Sequence, residues 1–217
     1  MHYFFRVPLQ QTEHDEMNKK LLQYLAFFGV LFALFYGGMV YFTDFEKVKL
    51  PVINTVQPFS FTRHDGNQVV QADIKKRVYV AEYFFTTCNG ICPKMNKNMK
   101  AIYDQFNKEP QFLIISHTVN PETDSIPVLK HYADSLGAQI NNWWFVTGSK
   151  EELYKTARES YLLDDPKNSS INIKEQFLHT QFFTLVDRQG RVRGIYDGIK
   201  KDEVNQLVAD IKELLAE

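Results

Sequence analysis

The chain has 217 residues, of which 44% are hydrophobic and 24% charged, an ordinary globular composition that excludes a disordered or collagen-like protein. A formal net charge of −1 gives no electrostatic ground for nucleic-acid binding, and no RNP, zinc-finger or basic-helix pattern is present. The length suits one domain with a small appendage, and two cysteines are too few for a disulfide framework.

Residues 21–42, LLQYLAFFGVLFALFYGGMVYF, contain no charge. A helix needs roughly 20 apolar residues to cross a bilayer, and a cleavable signal peptide has a shorter apolar region and a small-residue exit. This stretch is long and its exit is bulky, so an uncleaved transmembrane anchor is expected. Residues 1–20 then form a cytoplasmic head. Met17-Asn18-Lys19-Lys20 resembles the start of a bacterial signal anchor, which makes Met17 a candidate initiator and residues 1–16 an upstream stretch outside the native chain. Lys19 and Lys20 before the span are balanced by Lys47 and Lys49 after it, and the short head favours export of the long C-terminal part. The bacterial-type start places that part in the periplasm, on an inner membrane. A mitochondrial inner membrane facing the intermembrane space is the alternative.

A juxtamembrane linker is expected over 43–57 and a folded domain over 58–217. Phe59-Ser60-Phe61 and Val69-Val70 flank the turn pair Asp65-Gly66, the pattern of a hairpin. Residues 77–86, RVYVAEYFFT, are rich in β-branched and aromatic types and read as a buried strand. Pro93 suits a first helical turn, and Met95, Met99, Ile102, Tyr103 and Phe106 follow at helical spacing. Both cysteines therefore fall at a strand-to-helix junction. A strand over 111–119, a helix over 126–136 and a strand over 143–146 come next. Ser149 and Glu152 form a capping box that opens a helix to about Tyr161. After a polar loop over 164–176, residues 180–187 and 191–197 read as a hairpin. Val204, Leu207, Val208, Ile211, Leu214 and Leu215 line one face of a closing helix. The succession implies an α/β sandwich with a central mixed sheet.

Cys88 and Cys92 are separated by three residues. In regular helix they would lie one turn apart, able to share a metal ion. With Cys88 in the preceding loop, Asn89-Gly90 would let the sulfurs join as a disulfide. A helix N-terminus favours thiolate, which is both nucleophile and metal ligand. Two inert buried thiols are the bland alternative.

Among the six histidines, His2 and His14 precede the span, and His64 and His131 read as solvated surface residues. His117 ends the 111–119 strand, where α/β proteins often bind ligands, although a structural role there is the simpler expectation. His179 is the better candidate ligand. It opens the 180–187 strand, at the position that faces the cysteine-bearing helix start in a thioredoxin-like arrangement. Two thiolates and an imidazole suit copper, as Cu(I) or Cu(II), and fall short of the four protein ligands of a closed zinc site. Met95 and Met99 read as core filling, and Trp143 and Trp144 as core and rim.

The chain resembles the Sco (SenC-type) family of membrane-anchored copper proteins over about 59–217. The resemblance rests on TTCNGICPKM, VNPETDSIPVLKHYA (119–133) and LHTQFFTLVDRQGRV (178–192). It implies a thioredoxin-like fold and carries the metal-ligand role to Cys88, Cys92 and His179. It departs from the family pattern at Thr87, Asn89, Asn120 and Leu178, while Asp124 of the DPxxD element is retained. What it implies is delivery of copper to the dinuclear centre on the copper-bearing subunit of cytochrome c oxidase, or to another copper acceptor. The alternative is thiol–disulfide exchange by Cys88 and Cys92 as a catalytic redox pair that reduces the acceptor's cysteines. A tethered docking scaffold without chemistry is the third reading.

Overall fold

The computed structural model describes residues 9–43 and 50–217, with side chains from 18 to 40 in the first stretch. The chain divides into two compact units at Lys49 and Leu50. The first contains a single described helix, α1 (Leu9–Thr43). Within it, Asn18–Val40 is 23 residues long with a mean hydropathy of 1.7, sufficient in length and composition to cross a membrane. Its large apolar side chains are exposed, Leu22 by 70% and Phe35 by 67%. Residues 9–20, part of the expected cytoplasmic head, belong to the same helix. Residues 1–8 and 44–49 lie outside the described residues, and with them His2, Lys47 and Lys49; so do the side chains of His14 and Met17.

The second unit is built on an eight-stranded sheet. Its strands are β1 (Asn54–Thr55), β2 (Ser60–Arg63), β3 (Gln68–Val70), β4 (Val78–Phe84), β5 (Phe112–Thr118), β6 (Trp143–Thr147), β7 (Phe182–Val186) and β8 (Arg191–Asp197). They lie in the order β1-β8-β7-β4-β5-β6-β2-β3. Only β4–β5 and β5–β6 pair in parallel, so the sheet is mixed, as expected. The helices are α2 (Cys92–Phe106), α3 (Ile126–Ser135), α4 (Lys150–Lys155) and α5 (Lys201–Ala216).

Strand alternation sorts the core into two layers. Val78, Val80 and Phe84 of β4 join Phe112, Ile114, Trp143 and Phe145 beneath α2, α3 and α5. Tyr79, Ala81 and Tyr83 face the other way, against Leu153, Tyr154, Ala157 and Tyr161. Each of the central strands β4 and β5 carries polar groups into these layers: Glu82 and Ser116 on the first face, His117 on the second. Met95 and Met99 are core residues at 1% and 0% exposure, and Trp143 and Trp144 are both buried.

Two expectations are corrected. The linker over 43–57 is shorter, because β1 pairs with β8 and the Leu50 carbonyl accepts two hydrogen bonds from Arg193. His64 is buried, not solvated: its Nδ1 accepts the Phe145 N–H at 3.1 Å, and burial lowers its pKa. The helix opened by Ser149, whose hydroxyl caps the Glu152 N–H at 3.2 Å, reaches about Tyr161 as expected, continuing from α4 as a π-helical turn, Thr156–Ser160. The Asp65-Gly66 turn closes the β2–β3 hairpin as read, with Gly66 at φ +87°.

Candidate metal and thiol site

β4 ends at Phe84, and the chain turns so that the Cys88 N–H donates to the Phe85 carbonyl at 3.2 Å. Cys92 is the first residue of α2, and Pro93 follows in the first turn, where the missing N–H breaks no helical bond. Cys88 thus lies in the loop, and the two cysteines are joined as a disulfide with a Cα–Cα separation of 5.9 Å. Cys88 is half-buried, whereas Cys92 is only 5% exposed. Of the two geometries open to the sequence, the loop-and-helix one is realised.

Asp124 fixes the segment before Cys88. Its carboxylate accepts the Thr86 hydroxyl at 2.5 Å, the Thr86 N–H at 3.2 Å and the Thr118 hydroxyl at 2.5 Å. These bonds tie the loop to the end of β5 and the approach to α3.

A cleft of about 360 Å³ opens beside the disulfide, lined by Cys88, Cys92 and His179 together with apolar wall residues such as Phe84, Val119 and Leu178. His179 is exposed and packs on Phe177, with ring centroids 4.8 Å apart; Phe177 in turn meets Phe85 edge-on at 5.3 Å. Leu178 is buried, and its N–H donates to the Tyr154 hydroxyl at 3.1 Å, which anchors the backbone next to the histidine. The three expected site residues therefore share one cleft. Among the described residues, no group of three histidine, cysteine or acidic side chains is gathered closely enough to hold a metal ion.

His117 does not line the cleft. It is fully buried, stacked on Tyr83 at 4.8 Å and packed against Tyr161 and Phe61. Its Nδ1 lies 3.3 Å from the Glu82 carbonyl, which can only accept, so Nδ1 carries the proton and Nε2 is left without a partner. Burial drives its pKa down to about 3. His131 is exposed on α3, as read. Sequence reading missed Glu82, whose only signal was a lone acid inside an apolar strand.

The family model for SCO1/SenC matches residues 49–216. The chain belongs to the SCO1/SenC family. A SCO1 protein homolog of Bacillus subtilis (strain 168) is 30% identical over 171 residues, covering 77% of this chain and 86% of that protein. The solved structure of BsSco, described as a Sco-family cytochrome c oxidase assembly protein with a disulfide switch, matches with a TM-score of 0.65 at 30% identity. That match covers 79% of this chain and 99% of BsSco. Bradyrhizobium japonicum ScoI, solved with copper bound, matches with a TM-score of 0.58 over 74% of this chain and 99% of its own; at 21% identity this similarity bears on the fold. The SCO1/SenC fold of this chain is thus the expected thioredoxin-like sandwich with its mixed central sheet.

Proposed function

We propose that this SCO1/SenC protein is a membrane-anchored copper chaperone. In the reduced state Cys88, Cys92 and His179 take up copper, as Cu(I) or Cu(II), and pass it to the dinuclear copper centre of cytochrome c oxidase. The observation that carries this reading is the shared cleft of the two cysteines and His179. Copper is the cargo, and two soft sulfurs with one imidazole nitrogen are donors suited to it. Reduction supplies the sulfurs as thiolates at the N-terminus of α2, where the helix dipole favours the charged form. His179 belongs to the connection before β7, and its exposed side chain lines the same cleft as the sulfurs. Copper in Bradyrhizobium japonicum ScoI and the oxidase-assembly role of BsSco support the extension to this relative. Asn18–Val40 would hold the protein in a bacterial inner membrane, with the sheet-bearing unit in the periplasm.

A second reading has its own observation, the disulfide itself. The half-buried Cys88 is the sulfur open to attack and Cys92 the one that resolves, which is the arrangement for thiol–disulfide exchange with the acceptor's cysteines. Copper titration of the full-length chain in detergent, followed spectroscopically, separates the readings. One copper per chain is expected after reduction and none in the disulfide form. Absence of stoichiometric binding by the reduced protein overturns the chaperone reading.

A further inference from the structure

Asn89 and Gly90 lie between the two cysteines, and no other asparagine in the chain is followed by glycine. An asparagine amide beside a glycine is chemically labile in water. With no Cβ to hinder it, the glycine nitrogen can approach the asparagine Cγ and displace ammonia. Whether a folded chain permits this depends on how the nitrogen and the amide are held. Here neither is held. Asn89, Gly90 and Ile91 are all exposed. Before them the Cys88 N–H donates to the Phe85 carbonyl, and after them the Ile91 carbonyl accepts the Lys94 and Met95 N–H groups at 3.0 and 3.1 Å. Among the described residues, neither the Gly90 N–H nor the Asn89 side chain has a hydrogen-bond partner. A Cβ built on Gly90 would meet nothing within 4 Å, so the backbone has room to turn and water has access.

The related pairs Asp65-Gly66 and Asp197-Gly198 are locked by contrast. The Gly66 N–H donates to the Arg63 carbonyl and the Gly198 N–H to the Gln181 carbonyl, each at 2.8 Å, so both nitrogens are engaged. The Asp65 carboxylate accepts two bonds from Arg63, at 3.0 and 2.6 Å. That of Asp197 accepts the Gln181 amide at 2.7 Å and the Ile199 N–H at 3.1 Å. A carboxylate is also a poorer electrophile than an amide. The unrestrained pair is the one inside the cysteine loop.

We propose that Asn89 is a site of spontaneous deamidation, which turns the uncharged segment between the cysteines into an anionic one. The Gly90 nitrogen gives its proton to water and attacks Asn89 Cγ. A new C–N bond closes a succinimide ring, and the side-chain nitrogen leaves as ammonia. Water then adds to one of the imide carbonyls and opens the ring, giving either aspartate or isoaspartate, in which the main chain runs through the former side chain. One water is consumed and one ammonia released, with no change of oxidation state. The cleft beside the disulfide is lined by no acidic residue, lysine or arginine, so the new carboxylate brings a charge to a neutral wall, on the neighbour of Cys88. A modification that adds charge acts by repelling like charge. Isoaspartate also lengthens the backbone between Cys88 and Cys92, whose Cα atoms the disulfide holds 5.9 Å apart. The modification stands apart from the proposed function; its consequence, discrimination against anionic partners at Cys88, rests on the exchange reading above.

Full-length protein in detergent is aged in heavy-oxygen water at neutral and mildly alkaline pH, and its peptides are mapped by mass spectrometry. Position 89 is expected to become an acid carrying solvent oxygen, faster at the higher pH and partly as isoaspartate, while Asp65 and Asp197 take up no label. Asn89→Gln is expected to keep its amide. Retention of the Asn89 amide in the folded protein, over a period in which the urea-unfolded chain loses it, overturns the proposal. The consequence is read on metal-free reduced protein with two aromatic disulfides, one bearing carboxylates and one uncharged. Asn89→Asp is expected to slow the anionic reagent roughly two- to fivefold more than the uncharged one at low salt, and the difference is expected to fade at high salt. Equal slowing of both reagents overturns the charge effect. A reduced chain that reacts with neither reagent overturns the exchange reading and that consequence, whereas the mass result decides the modification by itself.

Discussion

The Asp124 carboxylate receives the Thr86 hydroxyl at 2.5 Å and so fastens the segment that leads into Cys88. Asp124 is fully buried, and the Thr118 hydroxyl and Thr86 N–H complete its shell. Removing it strands three donors, and hydrogen bonds to a charged acceptor are worth about 1.5–3 kcal/mol each before compensation by water. Asp124→Ala is expected to lower unfolding stability by about 2–4 kcal/mol, and Asp124→Asn by less. Urea unfolding with the disulfide intact checks this, and an unchanged midpoint for Asp124→Ala would refute the anchoring role.

The two cysteines are unequal in exposure, which predicts unequal reactivity. Cys88 stands half-open to the cleft, while Cys92 is 5% exposed at the start of α2. After reduction, substoichiometric alkylation is expected to label Cys88 first, read by peptide mass mapping. Preferential labelling of Cys92 would reverse the assignment of attacked and resolving sulfurs.

Much of the site was legible because its signals are local. A β-branched run, a proline and a helical repeat frame Cys88 and Cys92 within a few residues, and the 111–119 and 126–136 readings fell within a residue or two of β5 and α3. The misreadings involve partners distant in sequence. His64 is buried because β2 pairs with β6, and nothing near His64 announces that pairing. Residues 54–55 become a strand only because β8 offers them an edge. His117 follows the same rule: its place in β5 was read, but its stacking on Tyr83 depends on parallel pairing with β4. The choice between metal pair and disulfide was left open by spacing alone, and the loop position of Cys88 decides it for this state.

His179 tests the division between metal and thiol chemistry. Its ring is exposed and held by Phe177, and no fold-bearing contact of its imidazole is among those described. His179→Ala is expected to leave the unfolding midpoint within about 0.5 kcal/mol. Copper affinity of the reduced protein should fall by more than the roughly 10–100-fold that loss of an outer-sphere partner costs. Competition with a chromophoric copper chelator measures the affinity, and thiolate release from an aromatic disulfide measures exchange. Loss of both activities in a folded variant would refute the division.

Met99 separates core packing from thioether ligation. It is fully buried beneath the sheet face in the same cluster as Val80 and Phe145. Met99→Ala is expected to cost about 2–5 kcal/mol through the cavity it leaves. Met99→Leu, which nearly conserves volume, should cost less than about 1.5 kcal/mol and leave copper affinity unchanged. A Met99→Leu variant of normal stability that loses copper would make Met99 a ligand.

His117 predicts an acid sensitivity whose sign follows from its burial. In the unfolded chain it titrates near 6.5, but in the fold its pKa is held down to about 3. Between those values the unfolded state binds more protons, so stability rises with pH across the window and is lost as pH falls through it, by at most about 1.4 kcal/mol per pH unit. Glu82 acts in the opposite sense: with its acid raised to about 7, the folded state binds the extra proton, and its contribution declines as pH rises toward that value. The two therefore mask each other in the unaltered protein, and a single-site comparison is needed. His117→Phe keeps a ring against Tyr83 and removes the imidazole titration. Urea midpoints across the window should show the unaltered chain losing stability relative to His117→Phe as the solution is acidified. Parallel curves for the two proteins would mean that the buried ring takes up its proton as readily in the fold as in the open chain.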